Sequence, residues 1–444
     1  MSSSQPPLKI AVDSGHADTP VWNAKERRQW VATLFLGSMV VFAARTIMPL
    51  CAVTVANEFG WDKTDMGLVL GCFFWGYPVF QIVGGYLSDR IGGELVMYRA
   101  AAVWSVVTIA TPHIAYMYPS KQATVYSMAF LRFLLGLAQG VHYPSLTSLI
   151  TSKVETGKKA VTLTTVFAAG QAGTVLTGSV GSIILHRFHW STIFYFFGSL
   201  GLIWAIVVRI FSKHSRRKKL VTIPSSSRKD KDDLKKTGGD SYLHGFPIGI
   251  LCSKAPFWGL FIAHICTGYY FFILLNWIPT YFTEVYPGHK GWVFNVAPWL
   301  VAIPSSILSG YLSGQLVKAG CAPGKARKIV FSLCSFGMVS SLVLVSFTTG
   351  YNTALVLMVI AAGSQAFANG ALPVNIQDIA PKHAGAVFGV LNTVGALQGF
   401  IGSYAAGYIL HYSESWATVF CSTAAIAFFG WTMFTCFASG KPIL

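Results

Sequence analysis

The chain has 444 residues, of which 53% are hydrophobic and only 11% are charged, whereas soluble domains carry about 25% charged residues. This composition excludes an ordinary soluble protein and predicts a chain embedded in a lipid bilayer. A net charge of +17 would suggest nucleic-acid binding in a soluble protein, but here the basic residues are confined to short segments between apolar runs. We therefore interpret the charge as a topology signal, with the bilayer and not nucleic acid as the partner.

Stretches of about 20 residues with few charges predict twelve transmembrane helices. In chain order they cover residues 30–54, 66–87, 95–117, 123–149, 160–185, 191–211, 255–282, 293–317, 329–347, 354–379, 386–410 and 417–438. With both termini on one side of the membrane, 25 of the 33 Lys and Arg fall on that side and four on the other. The positive-inside rule then places both termini in the cytosol. The eight cysteines show no CxxC spacing and predict neither a metal site nor a disulfide framework.

One long polar segment separates six predicted spans from the next six. Residues 212–253 contain the basic run Arg216–Lys219 and a stretch rich in Ser, Lys and Asp, a composition typical of a flexible linker that contacts anionic lipid. The predicted organisation is a cytosolic tail (1–29), a six-helix bundle (30–211), a cytosolic linker (212–253), a second six-helix bundle (254–438) and a short cytosolic tail (439–444).

The two bundles repeat short patterns at about half the chain length. Residues 85–91 (GYLSDRI) follow the second span, and residues 310–316 (GYLSGQL) follow the eighth, 225 positions later. A Leu, Gly, Gly, Ser pattern starting at Leu176 in the fifth span recurs 221 positions later in the eleventh. Small residues also serve helix packing, but the shared offset predicts a duplicated unit with a central cavity, as in secondary transporters.

The charged copy of the repeat, Gly85-x-x-x-Asp89-Arg90-x-Gly92, resembles the loop signature of the major facilitator superfamily. The resemblance implies an all-α membrane protein with twelve transmembrane helices in two pseudo-symmetric halves, working by alternating access. It assigns these four residues a gating role, in which Asp89 and Arg90 brace the cytosolic gate in the outward-facing state. A Gly-Gln pair replaces them in the second copy, so we expect that side of the gate to be held less firmly.

Two arginines lie deep within predicted spans without an evident acidic partner. Arg45 lies about fifteen residues into the first span and Arg132 about nine into the fourth, where each costs about 3 kcal/mol or more unless compensated. No carboxylate lies mid-membrane, so we expect water and a bound phosphate or carboxylate anion to compensate them. The alternative is that both arginines only bond backbone carbonyls. Arg99 and Arg209 lie close to cytosolic span ends, and we expect them to snorkel.

Helical spacing adds candidate neighbours for these arginines. Arg132, Gln139 and Tyr143 share one stripe of the fourth span, and Tyr77 belongs to an aromatic stripe of the second. Phe272 and Asn392 belong to sets of aromatic and amide side chains in the later spans. Aromatic stripes in membrane helices more often face lipid or core, but with arginines and amides they form a set that can stack on and hydrogen-bond a heteroaromatic base.

The energy source follows from what the sequence lacks. Residues 320–326 (GCAPGKA) are one residue too short for a phosphate-cradling loop and have no Ser or Thr after the Lys, which excludes an ATPase. The spans offer neither an acid for proton coupling nor the His and acid pairing of a membrane-embedded enzyme such as an acyltransferase. Movement of an anion down an electrical gradient remains, and at about 2.3 kcal/mol per charge per 100 mV the potential alone suffices for a multivalent anion.

Motifs in the first, second and fourth spans resemble the vesicular and organic-anion branch of the superfamily, whose members carry glutamate, sialic acid, phosphate and nucleotides. They comprise Arg45, Phe73–Tyr77, Arg132, Gly136, Gln139, Gly140 and Pro144. Within that branch, residues 271–280 (FFILLNWIPT), 290–304 (KGWVFNVAPWLVAIP) and 374–381 (VNIQDIAP) resemble the vesicular nucleotide transporters. The similarity covers nearly the whole chain except the N-terminal tail and the central linker.

This resemblance implies uptake of ATP, and of ADP and GTP, from the cytosol into secretory vesicles or lysosomes. The inside-positive potential of a vacuolar proton pump would drive it, with chloride as activator and no cofactor. Arg45 and Arg132 match family positions that bind the anionic substrate. At three positions the glutamate carriers have a His, an acid and an Arg, and this chain has Leu70, Gln139 and Thr267 in their place. These differences argue against glutamate transport and proton coupling.

With two evident cationic side chains for a triphosphate, Mg²⁺ bound to the nucleotide, water or further residues must share its charge. The predicted substrate site comprises Arg45, Tyr77, Arg132, Gln139, Tyr143, Thr267, Phe272 and Asn392. The main alternative is a phosphate or organic-anion (glutamate, sialic acid) carrier of the same fold with sodium or proton coupling. Two alternatives of other classes are a membrane-embedded enzyme, for which the spans lack the required His and acid pairing, and a non-transporting receptor, against which the duplicated halves argue.

Overall fold

The computed structural model describes residues 22–118, 120–154, 156–222, 248–289, 291–381 and 384–443, and these are almost entirely helical, with no strand among them. The α-helices of this part are α1 (Ala24–Phe59), α2 (Lys63–Ile91), α3 (Gly93–Met117), α4 (Lys121–Gly140), α5 (His142–Lys153), α6 (Thr156–Leu176), α7 (Ser182–Arg187), α8 (Ser191–Thr222), α9 (Ile248–Cys252), α10 (Ala255–Val285), α11 (Gly291–Lys318), α12 (Pro323–Ser346), α13 (Tyr351–Phe367), α14 (Leu372–Ile379), α15 (Ala384–Ser413) and α16 (Trp416–Phe437).

The predicted fold class, all-α with twelve membrane-spanning segments, is confirmed. Ten helical stretches in the described part are both long and apolar enough to cross a membrane. The other two predicted spans correspond to α2 and α15, which have 29 and 30 residues and exceed the roughly 20 residues that a span requires. Of the predicted tail and linker, residues 1–21 and 223–247 lie outside the described residues, and the division into domains stays a prediction.

Three of the predicted spans are interrupted. The span 123–149 consists of α4 and α5, and α5 begins two residues before Pro144, whose missing N–H and fixed ring geometry disturb a continuous helix. The span 160–185 contains a π-helical turn, Thr177–Gly181, between α6 and α7. The span 354–379 contains a 3₁₀ turn, Ala368–Gly370, between α13 and α14. Periodicity cannot reveal such interruptions, because the apolar pattern continues across them.

Local capping interactions determine where α1 begins and ends and where α2 begins. Asn23 and Glu26 form a reciprocal capping box at the start of α1, and Asp62 and Asp65 form another at the start of α2. Gly60 ends α1 with a φ of 67°, a left-handed conformation that glycine adopts without a Cβ clash. These caps satisfy backbone donors that would otherwise be left unpaired at the helix ends.

The helices pack as two bundles with separate hydrophobic clusters. One cluster is built mainly from residues 22–208 and the other from residues 251–438. Helix α2 packs against α15, α6 against α11 and α1 against α10, so these three pairs join the halves. We call the membrane side where α1 begins and α16 ends the tail side, and the opposite side, which carries Gly60 and Gly288, the far side.

Candidate anion-binding site

Arg45 of α1 lies among three aromatic rings. The residue is 7% exposed, and its Cζ lies 4.4 Å from the ring centre of Phe42 and 4.7 Å from those of Phe73 and Tyr77. Aromatic faces attract a guanidinium through the ring quadrupole. Its Nε and Nη2 are buried and have no hydrogen-bond partner in the described part of the chain. The rings therefore hold the charge in place while donors remain available for a ligand.

Arg132 of α4 approaches the same place from the neighbouring helix. The residue is 3% exposed, and its Nη1 donates to the backbone carbonyl oxygen of Arg45 at 3.2 Å. Its Cζ lies 5.2 Å from the ring centre of Phe73. Its Nε is buried and has no hydrogen-bond partner among the residues described. A backbone carbonyl thus satisfies one donor of Arg132, but it does not account for the whole guanidinium.

Helices α2 and α4 approach to backbone contact beside Arg132. A Cβ on Gly136 would overlap the carbonyl oxygen of Phe73, and one on Gly140 would overlap that of Tyr77. Small residues are what permit such close helix packing in membranes. The glycines of the fourth-span motif therefore hold the aromatic residues of α2 beside Arg132.

The site carries two positive charges without a countercharge. In the described ranges, no Asp or Glu forms a hydrogen bond or an ion pair with Arg45 or Arg132. Like charges in low-dielectric surroundings repel each other and are costly to bury. A multivalent anion would relieve both costs, and the planar fork of a guanidinium matches phosphate and carboxylate oxygens.

Gln139 and Tyr143 continue along the fourth span toward the tail side. The Nε2 of Gln139 donates to the backbone carbonyl oxygen of Val41 at 3.2 Å, while its Oε1 is buried without a partner among the described residues. The ring centre of Tyr143 lies 6.1 Å from that of Phe42, the ring beneath Arg45. The structure thus brings four predicted first-half residues, Arg45, Tyr77, Arg132 and Tyr143, around Phe42 and Phe73, whereas Gln139 ties α4 to α1.

The second half contributes an aromatic contact to this cluster. The ring centre of Phe272 in α10 lies 4.4 Å from that of Phe74, whose own ring centre is 5.0 Å from that of Phe73. Thr267 is buried and Asn392 is exposed, and in the described structure neither hydrogen-bonds to a predicted first-half site residue. The roles of these three residues stay predictions.

The two halves contact each other on the far side of the site. Lys63, the first residue of α2, forms an ion pair with Glu284 near the end of α10, and we call this pair the far-side latch. A second contact joins α11 of the second half to α7 of the first half. There, the Nδ2 of Asn295 donates to the hydroxyl of Ser182 at 3.2 Å. These two contacts join the halves on the far side of the arginines.

Comparison with known proteins identifies the family. The model of the Major Facilitator Superfamily matches residues 33–403. The chain belongs to this superfamily. Its members are transporters, which confirms the prediction of a transporter rather than an enzyme. A solved bacterial homologue of the human lysosomal transporter Spinster, in an inward-facing and unoccupied conformation, shares the fold with a TM-score of 0.74 at 15% identity, covering 94% of this chain and 97% of that one.

Two curated relatives extend over nearly the whole chain. The chain is 38% identical over 440 residues to the voltage-gated purine nucleotide uniporter SLC17A9 of Homo sapiens, covering 99% of this chain and 98% of that protein. It is 28% identical to the chloroplastic sodium-dependent phosphate transport protein 1 of Arabidopsis thaliana, covering 98% of this chain and 84% of that protein. The predicted similarity to this branch of the major facilitator superfamily is therefore confirmed.

The loop signature of the superfamily lies at the tail end of α2. Gly92 has a φ of 95°, in the left-handed region that glycine tolerates, so the chain can reverse and α3 can begin at the next residue. Gly85 lies within α2 near Pro144, and Arg90 is exposed with its Cζ 4.5 Å from the ring centre of Tyr86. The side chain of Asp89 lies outside the described residues, and the bracing role of the signature stays a prediction.

The second half of this major facilitator protein holds an ion pair that the sequence analysis missed. The Nε of Arg327 in α12 donates to Oδ2 of Asp378 in α14 at 2.9 Å, and its Nη1 donates to the hydroxyl of Ser313 at 2.5 Å. Ser313 belongs to the second copy of the repeated motif. This second copy has an uncharged Gly-Gln pair where the first copy has Asp89 and Arg90. The charged pair Arg327 and Asp378 lies next to the second copy through the contact with Ser313. The sequence did contain a hint of this ion pair, because Asp378 is the deepest acid in the predicted spans.

A buried amide also escaped the sequence analysis. Gln398 of α15 is 3% exposed, and both side-chain amide atoms lack a partner in the part of the chain that the structure describes. Its side chain lies against Gly268 of α10, where any larger residue would collide with it. Unpaired buried amides are costly, so Gln398 is a further hydrogen-bonding group available beside Gly268 of α10.

Proposed function

We propose that the chain is a uniporter that carries anionic nucleotides, ATP and also ADP and GTP, from the cytosol into secretory vesicles or lysosomes. The observation that carries this proposal is the pair of buried arginines, whose unsatisfied donors lie beside aromatic rings without an acidic partner among the described residues. Guanidinium groups suit the phosphates, and aromatic faces suit the base. The 38% identity to a protein named as a purine nucleotide uniporter supports the same substrate class.

The proposed driving force is the membrane potential, which the inside-positive vacuolar proton pump would supply. At about 100 mV, an anion with roughly three charges gains about 7 kcal/mol, equivalent to a concentration ratio of about 10⁵. Such a gain needs no proton transfer, in agreement with the uncharged Gln139 of α4 at the position where the glutamate carriers have an acid. Chloride as an activator and Mg²⁺ as a companion of the nucleotide belong to the same proposal.

The decisive experiment measures uptake of labelled ATP by purified protein in liposomes. A potassium gradient with valinomycin sets an inside-positive potential, and no proton gradient is applied. We expect potential-driven uptake that ADP and GTP compete away, and stimulation by chloride. If ATP stays outside while phosphate, glutamate or sialic acid enters, the nucleotide assignment is wrong.

The same assay tests the site. Arg132→Gln and Arg45→Gln each remove a buried charged contact, which costs about 2–5 kcal/mol of binding and should reduce uptake by at least about 30-fold. Arg99→Gln is the matched control, because Arg99 is also a membrane-helix arginine but is exposed. Thermal unfolding of each variant separates lost binding from lost folding. Normal uptake by Arg132→Gln would remove this residue from the site.

A phosphate or organic-anion carrier is the second candidate. Two guanidinium groups bind any phosphate or carboxylate, and a sodium-dependent phosphate transport protein is among the relatives. Strict dependence of uptake on sodium, with phosphate preferred over ATP, would favour this candidate over the nucleotide uniporter.

A further inference from the structure

The tail ends of α1 and α6 enclose a groove of about 580 Å³ that lies apart from the arginine site. Its lining consists of Arg27, Arg28, Val31, Ala32, Phe35 and Leu36 of α1 with Thr162 and Thr165 of α6. The groove therefore has a basic end at the beginning of α1 and an apolar stretch that extends about two turns into the membrane span.

The basic end carries two charges that no residue in the described part of the chain neutralises. Arg27 is half-buried and Arg28 is exposed, and among the described residues neither guanidinium forms a hydrogen bond or an ion pair. Both side chains are thus available to an anion at the end of the groove.

The position of this end in the sequence indicates its depth in the membrane. Trp22 and Trp30 stack with ring centres 5.3 Å apart, and Trp30 also contacts Phe211 of α8. Both rings are buried in the protein, so they hold the start of α1 against α8. Arg27 and Arg28 directly precede the first predicted span, residues 30–54, which places them at headgroup depth. The segment from Val31 to Leu36 then descends by about 7.5 Å at 1.5 Å per residue, which places it beside the acyl chains.

We propose that this groove binds a phospholipid with an anionic headgroup. The phosphate-bearing headgroup contacts Arg27 and Arg28, and an acyl chain lies along Ala32, Phe35 and Leu36. Charge complementarity selects this occupant, because basic pockets between membrane helices bind anionic lipid headgroups. A free nucleotide fits poorly, since the apolar stretch offers its charged and polar groups no partner. The predicted orientation places the groove in the cytosolic leaflet, where anionic lipids are concentrated.

The bound lipid would act on the position of α1. Further along the same helix pair, α1 and α6 touch closely at Gly173, where a Cβ would overlap the carbonyl oxygen of Met39. An occupant of the groove fills the space between the diverging ends of the pair and stabilises their separation. Since α1 also carries Arg45, the lipid stabilises the helix on which the anion site is built.

The test measures lipid binding by the purified full-length protein in a neutral detergent. Native mass spectrometry and thermal unfolding are recorded during titration with phosphatidylserine, with phosphatidylcholine and with inorganic phosphate. We expect retention of phosphatidylserine and a higher Tm with this lipid only. An equal response to phosphatidylcholine, or a response to inorganic phosphate alone, would overturn the proposal.

Variants locate the binding. The double variant R27Q/R28Q should weaken phosphatidylserine binding by about 30-fold, because each basic residue near the surface contributes about five-fold. The matched control is K325Q/K328Q, which removes two charges from the same membrane side of the other half and should bind lipid as the wild type does. Equal losses in both double variants would show general electrostatic attraction instead of a site.

A second variant fills the groove without changing its charge. Ala32→Trp places a large side chain in the apolar stretch and should abolish retention of the acyl chain with both arginines present. If R27Q/R28Q fails to fold, Ala32→Trp alone decides, because Ala32 is exposed and its enlargement meets only the groove. Unchanged phosphatidylserine binding by Ala32→Trp would refute the proposed location.

Discussion

Replacing Lys63 by Gln removes the far-side latch and should shift the transporter toward a state that opens to the far side. The ion pair with Glu284 joins the two halves, and the two side chains are 28% and 25% exposed. Solvent screening at that exposure limits such a pair to about 0.5–1 kcal/mol. The ratio of far-side-open to far-side-closed molecules should therefore rise about two- to five-fold.

Double electron–electron resonance measures this shift directly. Spin labels at Gln122 and Asn352, both exposed on the far side in different halves, report the separation of the halves. The long-distance population should increase in Lys63→Gln, and the charge-swapped double variant K63E/E284K should restore the original distribution. Lys121→Gln is the matched control, because Lys121 pairs with Asp62 and Asp65 within one half.

Two results would refute this reasoning. An unchanged distance distribution in Lys63→Gln would show that the latch does not contribute to far-side closure. An equal shift in Lys121→Gln would show that surface charge, and not the pair across the halves, sets the equilibrium.

Two further variants test the packing and the second-half ion pair. Gly136→Ala forces a methyl group against the carbonyl oxygen of Phe73 and should lower the free energy of unfolding by about 1–3 kcal/mol. A lower Tm and weaker ATP uptake would show this loss. The control is Gly310→Ala, whose methyl group meets no atom within 4 Å and should leave Tm unchanged or slightly higher. Asp378→Asn leaves the charge of Arg327 buried without its partner and should destabilise the fold by about 3–5 kcal/mol. Thermal unfolding should show partial recovery in R327Q/D378N, and additive losses in that double variant would contradict the pairing.

The span count was predictable because hydrocarbon imposes a length and an apolar composition on every helix that crosses it. The interruption of the fourth span at Val141 could not be predicted, although the sequence shows Pro144 close to it. A proline in a membrane helix produces a kink, a break or neither, depending on whether neighbouring groups satisfy the freed backbone carbonyl. The π-helical turn Thr177–Gly181 is likewise set by its packing, since Gly178 lies against the backbone of Asn295 in the other half.

The arginines of the candidate site were predictable for an energetic reason. A charge in the middle of a span is rare and costly, so Arg45 and Arg132 stood out from their positions in the sequence alone. The distances between them, and the ring of Phe42 beneath Arg45, depend on how α1, α2 and α4 pack. Phe42 carries no signal of its own, because an aromatic residue in an apolar span is ordinary.

By itself, the sequence determined the membrane environment, the twelve spans, the duplicated halves and the two arginines within the spans. Each of these follows from properties of single helices or from a repeat along the chain. Only the tertiary structure decided which charges pair, as in the far-side latch between Lys63 and Glu284, which are 221 residues apart. Pairing depends on the register of helices that are distant in sequence, and van der Waals contacts between their backbones set that register.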